Sequence, residues 1–479
     1  MNLPTTLALA LSMMAAATPL VPSALTFPSV GHQPSFSLRL GNDTASVCNS
    51  STPGVSGFID SSDDSHLFFW LFESKNDAAT DPVILWMTGG PGGSSASLGN
   101  LMELGPCLIS PDGGYTVDNP YGWNANATLL FVDQPASVGY SYAPTIPRGL
   151  HNATTAMHTF LSQFFTAFPQ LADRDFYIAG ESYGGAWVSA LGERIVKTQS
   201  ASSSSASRLS KQFPLSLFPS APGPKSINLK GIMIGNGLLR QSYQNPGIFE
   251  TACSGHEPIL NASQCEGWAP LALWCSQNMI ACETEGVLSK ECMTAQKKCN
   301  GITDFLVEEL GLNPFNYKSP CDNPPLCYSA IDHISEYMTT PAVKDALGVA
   351  PNGPYLALSE EVLQIWDELG DTWKRSDTYV NYLLDQNIRV LVYVGDSDLY
   401  AHAAGHRRMI DEGLAWYGQP FFRFRPLHDW YLGVRAAGRG KSFGPLTYAE
   451  IYNAGHLAPM DKGEELLKLI NSWIKRSWL

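Results

Sequence analysis

DFYIAGESYGGAWVSALGERIVK (175–197) is the stretch on which the fold turns. DFYIAG (175–180) reads as a short buried strand, and GAWVSALGERIVK (185–197) reads as the helix behind it. Between them lies G-x-S-x-G, centred on Ser182. The pattern alone is weak in a glycine-rich chain; its position between a strand and a helix gives it weight. A sharp turn there lifts the Ser182 hydroxyl to the carboxyl edge of a sheet, at a helix N-terminus. The helix dipole and nearby amides then favour an oxyanion formed on attack.

Working outward, the same alternation repeats. HLFFWLFES (66–74), PVILWM (82–87) and TLLFVDQP (128–135) read as strands, and PVILWM runs into the glycine loop TGGPGGSS (88–95). Residues 153–168 carry apolar positions at helical spacing and stop at Pro169. Downstream, INLKGIMIGNG (227–237) and IRVLVYVGD (388–396) are further buried strands, and EELLKLINSWI (464–474) is an amphipathic C-terminal helix. Continuous apolar strands alternating with helices indicate an α/β fold with a largely parallel central sheet covered on both faces.

Two segments interrupt the pattern. Residues 199–224 are rich in Ser and Pro and read as an exposed loop. Residues 238–326 hold most of the cysteines and few apolar strands, and look like a disulfide-stapled cap inserted into the sheet domain. The expected organisation is a leader over 1–24, a core over 25–237, the cap, and a second part of the core over 327–479.

The 479 residues are 44% hydrophobic and 15% charged, a globular composition. A formal net charge of −14 repels phosphate backbones and argues against a nucleic-acid partner. The apolar stretch Leu7–Ala17 has the length of a signal-peptide core and is too short to span a bilayer, although no Lys or Arg precedes it. No other apolar run reaches membrane-spanning length, so no membrane span is expected. Ten cysteines, six of them between Cys253 and Cys299, indicate disulfides in an oxidising compartment. No CxxC pair points to zinc, and neither a metal nor a cofactor is expected. Sequons at Asn42, Asn49, Asn126, Asn152 and Asn261 suggest a glycoprotein. Secretion is the favoured destination, with the vacuole as the alternative. The oligomeric state is not legible.

A serine hydroxyl needs a base to attack. In this strand–turn–helix setting the partners follow in the order Ser, acid, His. VLVYVGDSD (390–398) places Asp396 and Asp398 just after a buried strand, and YNAGHLAPMD (452–461) places His456 in a glycine-containing turn before the last helix.

With these residues in view, the chain resembles the serine carboxypeptidase family. The likeness runs from about residue 30 to the C-terminus, through WMTGGPGGSS (86–95), MELGPC (102–107), FVDQPASVGYSY (131–142), GESYGG (180–185), GIMIGNG (231–237), YVGDSD (393–398) and NAGH (453–456). The resemblance implies an α/β-hydrolase fold and acid-pH release of C-terminal residues from peptides and proteins. It implies Ser182 as nucleophile, His456 as general base and acid, and Asp398, the second Asp of the motif, as the orienting acid. It further implies an oxyanion hole from the N–H groups of Gly90 and Tyr183. Thr88, Gly89, Glu181 and Glu103 would bind the substrate's terminal carboxylate, the two glutamates sharing a proton.

Three departures stand out. Thr88 occupies the position where the family usually has Asn, as in plant relatives that transfer acyl groups, so acyl transfer on the same triad is the alternative activity. Gly93 replaces a usual cysteine, and no cysteine follows Cys327. Ala401-His402 replaces a frequent Cys-Asn. The cap pattern implies the pairs Cys253–Cys265, Cys275–Cys299 and Cys282–Cys292, followed by Cys321–Cys327. Cys48 and Cys107 remain as a candidate pair, because spacing alone does not fix connectivity.

Overall fold

A computed structural model describes residues 36–52, 54–212, 226–255 and 257–477. The expected leader over 1–24 lies outside the described residues. The centre is an 11-stranded sheet. Across it run Phe36–Leu40, Gly54–Ser61, His66–Phe72, Thr128–Val132, Val83–Met87, Phe176–Glu181, Leu229–Gly235, Arg389–Gly395, Leu446–Ile451, Arg435–Phe443 and His428–Leu432.

The strands from Thr128–Val132 to Leu446–Ile451 pair in parallel. The flanks pair antiparallel on both sides. The sheet is therefore mixed, and "largely parallel" is correct only for its centre. Three of the five antiparallel pairs are joined by short hairpin links, whereas the central parallel strands need longer crossovers.

Alternate residues of one strand feed opposite cores. Val83, Leu85 and Met87 face a core that includes Phe160, Phe164, Trp187 and Leu383. Ile84 and Trp86 face the other, with Leu101, Trp123, Tyr393 and Trp473. Both faces are closed by helices, among them Gly149–Ala167 and Asp377–Asp385 on the first and Ser95–Leu104 and Gly463–Ile474 on the second. Burial on both faces explains why the central strands read as unbroken apolar runs.

The helix that begins at Gly184 continues to Gln212, so the first part of the Ser-rich stretch expected as a loop is helical. Its N-terminal half packs Trp187, Leu191 and Ile195 in the core and nucleates the helix. Ala, Arg, Leu and Lys beyond it keep enough helix propensity to propagate the turns. The rest of the expected loop, from residue 213 to 224, lies outside the described residues.

Between strands Leu229–Gly235 and Arg389–Gly395 the chain leaves the sheet, and every described element it forms there is a helix. Disulfides join Cys253–Cys265, Cys275–Cys299 and Cys282–Cys292 within this excursion, Cys321–Cys327 after them, and Cys48–Cys107 on the core. No described helix is long and apolar enough to cross a membrane.

Candidate active site

Five parallel strands end at the same sheet edge, and each delivers a polar residue there. Val83–Met87 leads to Thr88, Phe176–Glu181 to Ser182, Leu229–Gly235 to Asn236, Arg389–Gly395 to Asp398 and Leu446–Ile451 to His456. Ligand crevices of parallel sheets form at this carboxyl edge.

Ser182 sits in the left-handed region at φ 60°, which costs a non-glycine residue about 1–2 kcal/mol. Its backbone is tied down all the same. Its N–H donates to the Gly235 carbonyl (3.0 Å), and its own carbonyl accepts from Gly185 N (3.0 Å) and Leu238 N (2.9 Å). Gly89 presses so close that a Cβ there would lie 2.6 Å from Ser182 Cβ. That contact explains the need for glycine and brings the 88–90 backbone beside the hydroxyl. Among the described residues, the N–H groups of Gly90 and Tyr183 have no acceptor.

His456 Nδ1 and Asp398 Oδ2 are 2.6 Å apart. Asp398 is fully buried; its Oδ1 accepts from Tyr400 N (2.8 Å) and Ala401 N (3.0 Å), and its Oδ2 also accepts from Asn236 Nδ2 (2.7 Å). Burial alone would push this carboxyl up. The His456 imidazole and these N–H donors overcome burial and hold it below the ordinary aspartate range. Asp396 turns away, accepting from the Ser397 hydroxyl and from Asn453 N. With Nδ1 held by Asp398, Nε2 is the His456 nitrogen left for the cleft. That cleft, of about 600 Å³, is lined by both His456 and Ser182. Their side chains are not hydrogen-bonded to each other.

Glu103 and Glu181 are buried, and their carboxyls lie close enough for each to act on the other's protonation. Burial is the main force raising both, and the Asp461 charge adds to it. Glu103 is pushed up to about 8, and Glu181 lies well above its usual value, raised also by Glu103. Both carboxyls are therefore held toward the protonated form at neutral pH and below. Thr88 lines the cleft with them. Its hydroxyl accepts from the Trp86 indole N–H (2.9 Å) and lies toward Gly99, and its methyl lies toward Gly93.

A family model described as serine carboxypeptidase matches residues 47–476. The chain belongs to the serine carboxypeptidase family. It is 33% identical over 447 residues to a vacuolar serine-type carboxypeptidase of Saccharomyces cerevisiae, covering 92% of this chain and 82% of that one. It is 32% identical over 444 residues to carboxypeptidase Y of Candida albicans, covering 92% and 77% of the two chains. Among solved structures, a prohormone-processing carboxypeptidase from S. cerevisiae superposes with a TM-score of 0.74 at 24% identity, over 91% of this chain and 94% of that one, and shows the shared fold. The protein is thus a serine-type carboxypeptidase with an α/β-hydrolase fold, acting on peptides. The acyl-transfer alternative suggested by Thr88 gains no support from these relatives.

Two residues of this carboxypeptidase site carry no plain signal in the sequence. Asn236 holds both Asp398 and, through Oδ1, the Gly395 N–H (3.1 Å). Its only mark is the G-N-G that follows the strand, which reads simply as a strand end. Asp461 Oδ2 accepts from Gly455 N (2.7 Å) and Asn316 Nδ2 (2.9 Å), and so fixes the turn that carries His456.

Proposed function

We propose that this serine carboxypeptidase works through an acyl-enzyme on Ser182. His456 Nε2 takes the hydroxyl proton as Ser182 Oγ attacks the scissile carbonyl carbon. The N–H groups of Gly90 and Tyr183 receive the oxyanion. As the C–N bond breaks, the imidazolium gives its proton to the departing amine. Water, deprotonated by the same imidazole, then hydrolyses the ester and restores Ser182. Asp398 keeps the tautomer and supports the transient positive charge. The observation that carries this reading is the 2.6 Å contact of His456 Nδ1 with buried Asp398, which leaves Nε2 to the cleft of Ser182.

The terminal carboxylate of the substrate is received by the Thr88 hydroxyl, by the Gly89 N–H and by the protonated Glu181–Glu103 pair. Protonated, the pair donates; ionised, it repels. Acid conditions therefore favour peptide cleavage. The helical excursion, with residues 238–326 as its cap, covers the cleft from outside the sheet. The N-terminal leader, the sequons and the disulfides support the secretory route, with secretion favoured over the vacuole. Asn42, Asn49, Asn152 and Asn261 are exposed and Asn126 is half-buried, so all five are proposed to carry glycans.

The test is labelling by a fluorophosphonate probe, paired with hydrolysis of an N-acyl dipeptide and its C-terminal amide at pH 4–8. Ser182 should be the labelled residue, and the free acid should be the better substrate in acid. Labelling that survives in Ser182→Ala would overturn the assignment.

A further inference from the structure

His402 stands where the sequence departs from its relatives, and its chemistry is unusual. It is 2% exposed, yet it lines the cleft together with Ser182. Its Nδ1 accepts from the Gly405 N–H (3.0 Å) and so caps the helix Ala403–Arg408. The Nδ1–Cε1 edge faces Gly405, where a Cβ would lie 2.6 Å from Cε1 and 2.9 Å from Nδ1. An imidazole that accepts at Nδ1 carries its proton on Nε2. Among the described residues Nε2 has no partner, and it is not one of the atoms sealed from solvent. With Nδ1 engaged, the Nε2–H is the polar group that His402 has left to offer the cleft it lines.

His402 follows Asp398 by four residues and lies on the wall where the Gln244 carbonyl packs against Gly405. Gln241 and Asn245 line the same wall. With the C-terminal carboxylate at the acid pair and the scissile bond at Ser182, this wall faces the acyl half of the substrate.

We propose that His402 is a binding residue whose Nε2–H donates a hydrogen bond to the carbonyl oxygen immediately upstream of the scissile residue in the peptide. The inference rests on the catalytic reading given above. Burial holds the imidazole far below its usual range, at about 3. The donor is therefore uncharged throughout mildly acid conditions, where an exposed histidine would become a cation. An uncharged N–H suits an amide carbonyl and has no preference for an anion.

The experiment measures binding with turnover removed. An N-acyl dipeptide and its thioamide, with sulfur replacing the acyl oxygen, are titrated calorimetrically into Ser182→Ala and into Ser182→Ala/His402→Ser. Serine keeps a helix-capping oxygen but cannot reach the cleft. Thionation should weaken binding about 3- to 10-fold with His402 present and leave it unchanged in the doubly substituted protein, because sulfur is the poorer acceptor. His402→Asn, which caps and can donate, should recover part of the difference. An equal thionation effect in both proteins, or none in either, overturns the proposal. Failure of the catalytic reading would show separately, as probe labelling and turnover that survive Ser182→Ala.

Discussion

Asn236 Nδ2 donates at 2.7 Å to the Asp398 oxygen that also holds His456. One carboxylate oxygen thus serves both the imidazole and an amide from the neighbouring strand. Removing the amide in Asn236→Ala should loosen Asp398 and let its pKa rise. We expect kcat/KM to fall about tenfold, equivalent to about 1.4 kcal/mol. The acid limb of the pH–rate profile should also move to higher pH. An unchanged profile would mean that Asn236 serves only the fold.

Asp398 and Asp396 lie two residues apart and should differ sharply. Asp398→Asn removes the charge that supports the imidazolium and should lower kcat by about four orders of magnitude. Asp396→Asn, which retains an acceptor for the Ser397 hydroxyl and for Asn453 N, should keep kcat within a few-fold. Steady-state kinetics on one blocked dipeptide decide between them.

The acid pair makes both binding and stability pH-dependent. Glu103 is raised from 4.5 to about 8, so between those values the folded protein binds more protons than the unfolded chain. Stability from this pair is fully present below the unfolded value and is lost as pH rises toward 8. Asp398, held low, acts in the opposite sense, and its contribution is lost only in stronger acid. Thermal unfolding scans should show the midpoint declining from about pH 5 to pH 8. A Glu103→Gln/Glu181→Gln variant should flatten that slope and lose the pH dependence of KM for free acids.

Thr88 supplies the hydrogen-bond acceptor of the buried Trp86 indole N–H. Thr88→Ala should leave that N–H unsatisfied and lower stability by about 1–3 kcal/mol. If the hydroxyl also touches the substrate carboxylate, KM should rise for peptide acids and stay level for the matching amides. A parallel rise for both would assign Thr88 to structure alone.

The strands nearest the site are the easiest to read. Val83–Met87 and Arg389–Gly395 are buried on both faces, so nearly every position is apolar and the run announces itself. Arg435–Phe443, RAAGRGKSF, gives no such signal: it lies near the sheet edge, and Arg439 and Lys441 are ion-paired to Glu450 and Asp411. The helix through Gln212 is hidden because its second half depends on the first for nucleation. Ser182 is legible from local context, whereas choosing Asp398 over Asp396 needs the family motif. The role of Asn236 is not legible from its G-N-G, since its partners are brought near only by the pairing of two strands far apart in sequence.

Tyr393 pairs with Gly235 across the two neighbouring strands that bracket the helical excursion. Because the two strands run parallel, the chain departs at the carboxyl end of one and returns at the amino end of its neighbour, one strand spacing across and a strand's length away. Closing such a detour costs little more when it is longer, because the entropy grows only logarithmically with length. The excursion can therefore be rebuilt, and the appetite for peptides changed with it, so long as Asn316 still steadies Asp461 and the turn of His456.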